Sequence, residues 1–259
     1  AALEQKAKEA GRAGDTEKMR ALSLEAARAY DQFVEAHPDE NPERLQTALI
    51  NAALLYEAAG MQEEVQQRIE VLLSRWPAHE QALALQHMRA TSLIRSLHYD
   101  PAIQVLETVY HTSHSIGVGT EYGIPSLASA AWLREGLGQY QRAAETYEQY
   151  GLENPDRADA APIAFKAGQA WEQVGLEEAQ AFYLRYLETW KDRSPDHTLE
   201  AHYRRVVLSE KKAETRPSSQ SLNDLTEARQ AHQEAYFRLK DSISPSSPGH
   251  HQMSESALQ

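Results

Sequence analysis

The chain contains no cysteine among its 259 residues, which removes disulfide frameworks, thiolate metal sites and cysteine nucleophiles together. It has no apolar run approaching the roughly 18 residues a membrane-spanning helix needs. The opening Ala1-Ala2-Leu3-Glu4 has neither an initiator methionine nor a charged segment leading into an apolar one, so the chain reads as processed or as an excerpt. Basic charge is also short: 26 Lys and Arg stand against 38 Asp and Glu, a formal net charge of −12. Such a field repels nucleic-acid phosphates and anionic lipid, so neither is an expected partner. The basic stretch from Arg185 to Arg216 does not change this, because Glu188, Asp192 and Glu210 are interleaved through it as on a solvated helix face. Proline (11) and glycine (12) are sparse, and Ala, Leu, Glu, Gln and Arg fill the stretches between them. Those are good helix formers, and the expected class is all-α. Val105–Val118, the one stretch with strand character, falls where the repeat described next demands a helix.

The few prolines and glycines are regularly spaced. Pro38, Pro77, Pro155 and Pro195 lie 39, 78 and 40 residues apart, and Gly60, Gly138 and Gly175 keep the same period. A repeat in this range implies stacked supersecondary units, none of which can bury its apolar face alone. Each unit reads as two helices, the first ending near the glycine and the second near the proline. The pairs are 3–11 with 16–36, 41–60 with 61–76, 79–99 with 100–113, 126–138 with 139–154, and 159–175 with 176–193. Aligned on their ends, the first helices carry small residues at Ala52/Ala53, Ala130/Ala131 and Ala167/Gly168, which let helices approach closely. The second helices carry i,i+3 stripes such as Tyr30/Phe33, Ile69/Leu72, Tyr147/Tyr150 and Leu187/Trp190, which face a core. The three glycines of 115–125 read as a loop that interrupts the series. Residues 196–214 read as the first helix of a sixth unit, 215–221 as a polar linker, 222–241 as a closing helix with an apolar stripe at Leu225, Ala228, Ala231, Ala235, Tyr236 and Leu239, and 242–259 as a disordered tail. The resulting domain is a solenoid over 3–214.

The order small residue, aromatic, glycine, alanine, proline, best seen at Gly168, Trp171, Gly175, Ala179 and Pro195 and again at Ala53, Tyr56, Gly60 and Pro77, resembles the tetratricopeptide repeat. The family's usual unit is about 34 residues; here the units run longer, implying second helices extended by about a turn. The aromatic endings, such as Tyr30 and Phe33 before Pro38, resemble elongated repeats of bacterial cell-envelope proteins, which favours a periplasmic or envelope location, with the cytoplasm as the alternative. The resemblance implies a right-handed superhelical solenoid of about five helix-turn-helix repeats plus a C-terminal capping helix. It also implies a concave face lined by residues three, six and ten places before each closing glycine. Mapped here, these include Glu57, Glu135 and Glu172; Leu54, Leu93, Trp132 and Gln169; and Ile50, Arg89 and Phe165. An apolar band (Leu54, Leu93, Trp132, Phe165) beside a glutamate ladder suits a protein or peptide partner with apolar anchors and basic residues. The Lys/Asn/Arg clamp by which co-chaperones of this family hold a C-terminal carboxylate is missing at these positions.

Nothing in the sequence assembles a catalytic set. Glu107, His111 and His114 have helical metal spacing but no further ligand. Gly117, Gly119 and Gly123 lack the preceding strand and the Gly-Lys-Ser/Thr ending of a phosphate loop, and no serine sits in a nucleophile elbow. No cofactor or metal is expected. The functional expectation is a non-enzymatic interaction scaffold in a bacterial multiprotein assembly. The alternative is a structural module of a longer chain that self-associates or packs on neighbouring domains.

Overall fold

The computed structural model describes residues 2–118 and 120–242. The disorder expected of the tail therefore concerns residues that lie, except for Ser242, outside those described. Among the described residues there are twelve α-helices and no strand. They pair as α1 (Ala2–Arg12) with α2 (Thr16–Ala36), α3 (Pro42–Ala59) with α4 (Gln62–Arg75), and α5 (Ala82–Arg95) with α6 (Tyr99–Ile116). The series continues with α7 (Thr120–Gly136) and α8 (Tyr140–Glu153), α9 (Ala160–Val174) and α10 (Leu176–Trp190), and α11 (Pro195–Thr215) and α12 (Ser219–Leu239). The stretch with strand character is thus helical, and the fold is an all-α helical repeat. The chain divides into two compact units, Ala1–Ala130 and Ala131–Gln259, the division falling inside α7. In the first unit α1 to α6 each pack on the next in sequence, as α8 to α12 do in the second, where α11 also reaches back to α9, the solenoid arrangement.

The first unit's core is aliphatic: Leu49, Val65, Ile69, Leu72 and Leu85 around Ala27, Ala52, Ala53 and Tyr56. That of the second is aromatic: Phe165, Phe182, Tyr183, Tyr186 and Trp190 set among Ala143, Ala144, Ala164 and Ala167. Burying one such side chain contributes about 1.5 to 3 kcal/mol. Helix starts follow their caps: Asp15 accepts from the Lys18 N–H and Asn41 from that of Glu43, with Pro42 in the first turn where its missing N–H costs nothing. Helix ends follow the glycines at two hairpins, Gly60 and Gly138 lying at φ 82° and 72°. In the hairpin between them the left-handed residue is Leu97, at φ 63° and exposed, so α5 ends four residues before Tyr99, where the period places the turn.

Three segments differ from the sequence reading. The loop expected over 115–125 shrinks to the few residues between Ile116 and Thr120, because α7 runs through both Gly123 and Pro125. Gly123 is a helical residue at a close approach: a Cβ there would meet Ser113 Oγ at 1.7 Å. The linker expected over 215–221 shrinks to Arg216–Ser218, because Ser218 and Ser221 form a capping box that starts α12 early. The stripe of α12 that meets α11 holds Ala228, His232 and Ala235, with Leu225 only half-buried, so a histidine stands where the sequence reading put only apolar residues. The closing helix is thereby the second half of a sixth hairpin, packed on Leu199 through Ala235, Tyr236 and Leu239.

Candidate functional site

In the first unit α1 and α3 stand apart over α2, leaving a trough with α2 as its floor. One end is a cavity of about 710 Å³, lined by Leu3 of α1, Ala26, Ala29 and Phe33 of α2, and Thr47 and Ala48 of α3. The other end, about 630 Å³, is lined by Ala7 and Lys8 of α1, Met19 and Ser23 of α2, and Leu54 and Ala58 of α3. Small residues on the floor create the depth, and the helical spacing of Thr47, Asn51, Leu54 and Ala58 turns one face of α3 inward.

A hydrogen-bonded bridge crosses the trough where the two ends join. Tyr30 Oη donates to Glu4 Oε1 at 2.6 Å and accepts from Asn51 Nδ2 at 3.3 Å, so all three helices contribute one side chain. That bond holds the Glu4 carboxyl below its ordinary range and raises the Tyr30 hydroxyl, burial adding to the latter. At the rim Arg44 pairs with Glu40 at 3.1 Å and lies over the Phe33 ring. The trough therefore offers apolar recesses on either side of a fixed polar point, which is how a site holds an extended peptide or a helix by its side chains.

The residues mapped to a concave face are distributed more variously than the mapping implies. Leu54, 50% exposed, lines the trough, and Trp132 is 61% exposed on α7. Gln169 is exposed on α9, and Ile50 is half-buried against the first unit's core. Leu93 and Phe165 are core residues at 7% and 3% exposure, a correction to the apolar band. Phe165 is enclosed by the rings of Tyr183, Tyr186 and His197, and Leu93 packs inward beside the buried Ser92. Arg89 lies 3.5 Å from Glu70.

The glutamate ladder has internal partners. Glu57 pairs with Arg95 at 2.9 Å, Glu135 accepts from Tyr147 Oη at 2.8 Å, and Glu172 accepts from Tyr183 Oη at 2.7 Å and meets Arg204 at 3.4 Å. Burial first, and then the carboxylate, pushes both tyrosine hydroxyls well above their ordinary range. Tyr56 repeats the device with Asp31 at 2.5 Å and is pushed up to about 12, while Arg68 clamps the same carboxylate at 2.6 and 2.7 Å. Of the helical metal spacing, His111 and His114 both lie against the Tyr110 ring, and among the described residues no three His, Asp or Glu side chains are grouped to hold a metal ion.

The trough residues that sequence reasoning missed are Tyr30 and Phe33 of α2 and Thr47 and Asn51 of α3. The aromatic pair carries the stripe signature of a core, and the sign that it also floors a recess is Ala26 and Ala29 on the same helix.

No protein-family model matches the chain, and no curated protein does. Solved structures do resemble it. Tetratricopeptide-like repeats of a kinesin light chain from Podosopora anserina are 21% identical, cover 74% of this chain and 96% of their own, and align with a TM-score of 0.48. A MamA protein is 17% identical over 73% of this chain and 90% of its own, at 0.44. A tetratricopeptide repeat protein from Parabacteroides merdae is 17% identical over 82% and 77%, at 0.43. Two of these three are named for tetratricopeptide or tetratricopeptide-like repeats.

Proposed function

We propose that this chain is a non-enzymatic protein-binding scaffold that takes up a partner's polypeptide segment in the trough between α1 and α3. The carrying observation is that trough: two apolar recesses separated by the Glu4–Tyr30–Asn51 bridge. The partner carries apolar anchors for the recesses, and the net charge of −12 favours a basic one. In the second unit the exposed Trp132 and Gln169 are further contact points in their own right. The elongated, aromatic-ended repeats support a place in a bacterial multiprotein assembly of the cell envelope.

The absence of cysteine makes the test direct. A photo-crosslinker on Thr47→Cys should capture a partner from the source cell, and one on Gln67→Cys, exposed on α4, should not. Adding Leu54→Lys to the Thr47 probe should reduce capture at least about tenfold, since one desolvated apolar anchor contributes on the order of 2 kcal/mol. Equal capture from both probes, or capture indifferent to Leu54→Lys in a folded variant, rejects the trough.

A further inference from the structure

The last hairpin contains an arrangement the scaffold reading does not use. His232 is 8% exposed and lies in the stripe by which α12 meets α11, its ring 6.0 Å from that of Tyr203. His202 stands on α11 one residue before Tyr203. Nδ1 of His202 and Nε2 of His232 are both buried and make no hydrogen bond. The remaining charges bearing on His202 are of one sign: Arg205 on α11, and His232 and Arg238 on α12. Carboxylates near this seam have partners elsewhere. Glu210 pairs with Arg229 at 2.7 Å, Asp224 with Lys212 at 3.2 Å, Glu227 acts on Arg205, and Glu234, which lines the same recess as His232, accepts from Gln230 Nε2 at 3.0 Å. From the helices behind α11, Glu172 meets Arg204, as does Glu200 of α11 itself, and Glu177 meets Arg216. A bare imidazole nitrogen tolerates such a place. An imidazolium N–H does not, because it would be a buried donor without an acceptor beside two guanidinium groups. The same cations disfavour a metal ion between the two rings.

The geometry points to α12 being an acid-released cap: it lies on α11 while His202 and His232 are neutral, and their protonation lifts it away and uncovers Leu199 and Tyr203. The direction of titration agrees. Burial first, and then Arg205, His232 and Arg238, holds His202 down to about 4 against an ordinary 6.5, and burial lowers His232 as well. A group whose folded value is depressed contributes its full stability above the ordinary value and loses it as pH falls from there towards the folded value. The cap should therefore hold above about pH 6.5 and loosen progressively below it. At pH 5.5, His202 alone shifts the closed-to-open ratio about tenfold relative to pH 7.5. The two ion pairs across the hairpin, Glu210 with Arg229 and Lys212 with Asp224, give the cap its resistance.

Hydrogen exchange of the intact chain at pH 7.5 and 5.5, corrected for the chemistry of exchange, tests this with peptides of α12 against peptides of α9. Wild-type α12 should lose about tenfold in protection at pH 5.5 while α9 keeps its own. In a His202→Phe, His232→Leu variant α12 should be equally protected at both values. His197, the other half-buried imidazole of α11, remains in that variant, so a loss acting through it would persist and would overturn the assignment. So would the absence of any loss in wild type. Should the variant not fold, ring-proton titration of wild type decides: His202 titrating near 6.5 while α12 stays protected overturns the cap.

Discussion

The junction of α8 with α9 and the junction of α4 with α5 occupy equivalent places in the repeat, each joining one hairpin to the next, yet they are held by opposite means. At α8–α9 the helices touch through backbone and small side chains. A Cβ added at Gly151 would meet the Ala164 Cβ of α9 at 2.7 Å and the Ala160 carbonyl of α9 at 3.3 Å, with the Trp190 ring of α10 at 3.1 Å. At α4–α5, beside the packing of Leu85 into the first unit's aliphatic core, the contact carries a polar seam. Gln66 Nε2 donates to Ser96 Oγ at 2.9 Å and Ser92 Oγ at 3.2 Å, Ser92 Oγ donates to the Gln62 carbonyl at 2.8 Å, and Gln62 Oε1 is buried without a partner. Close packing cannot be supplied by water, whereas a hydrogen bond can, so the first junction resists opening and the second tolerates it. One topology thus carries a rigid joint and a compliant one, and the choice is made by a handful of side chains.

Three variants would break or sharpen that contrast. Tyr183→Ala empties the centre of the aromatic core and removes the hydroxyl that donates to Glu172, and should cost about 3 to 5 kcal/mol in urea unfolding. Gly151→Ala should cost about 1 to 3 kcal/mol by overpacking, visible as a lower unfolding midpoint with the denaturant slope unchanged. Gln66→Leu with Ser96→Ala removes donor and acceptor together at the polar junction and should change stability by less than about 1 kcal/mol. A large loss from the last pair, or none from Gly151→Ala, would reverse the assignment of rigid and compliant joints.

Much of the architecture was legible in the sequence because periodicity and caps are local signals. The stripes Ile69/Leu72 and Tyr147/Tyr150 are buried as expected, and Asp15 and Asn41 start their helices. What misled were residues whose role is set by a distant neighbour. Gly123 looks like a helix breaker until Ser113 is seen against it, and Leu97 looks like a helical residue until its left-handed backbone is seen. Gly175 keeps the period, but its backbone is extended, so it begins α10 and does not close α9 through a left-handed turn. The concave-face mapping erred for a related reason. It fixes a register along each first helix, whereas burial depends on how far the next hairpin turns that helix, which is why Leu54 is open and Leu93 is not.

The pairing of tyrosine hydroxyls with carboxylates has an optical corollary. Free phenols ionise near pH 10 and absorb near 295 nm as they do so. Tyr56 is held to about 12, and Tyr147 and Tyr183, each bonded to a glutamate, are raised as well. Each is bonded within its own part of the repeat, Tyr56 in the first unit and the other two in successive hairpins of the second, so their late ionisation under alkali would report in a single absorbance trace where the chain has let go.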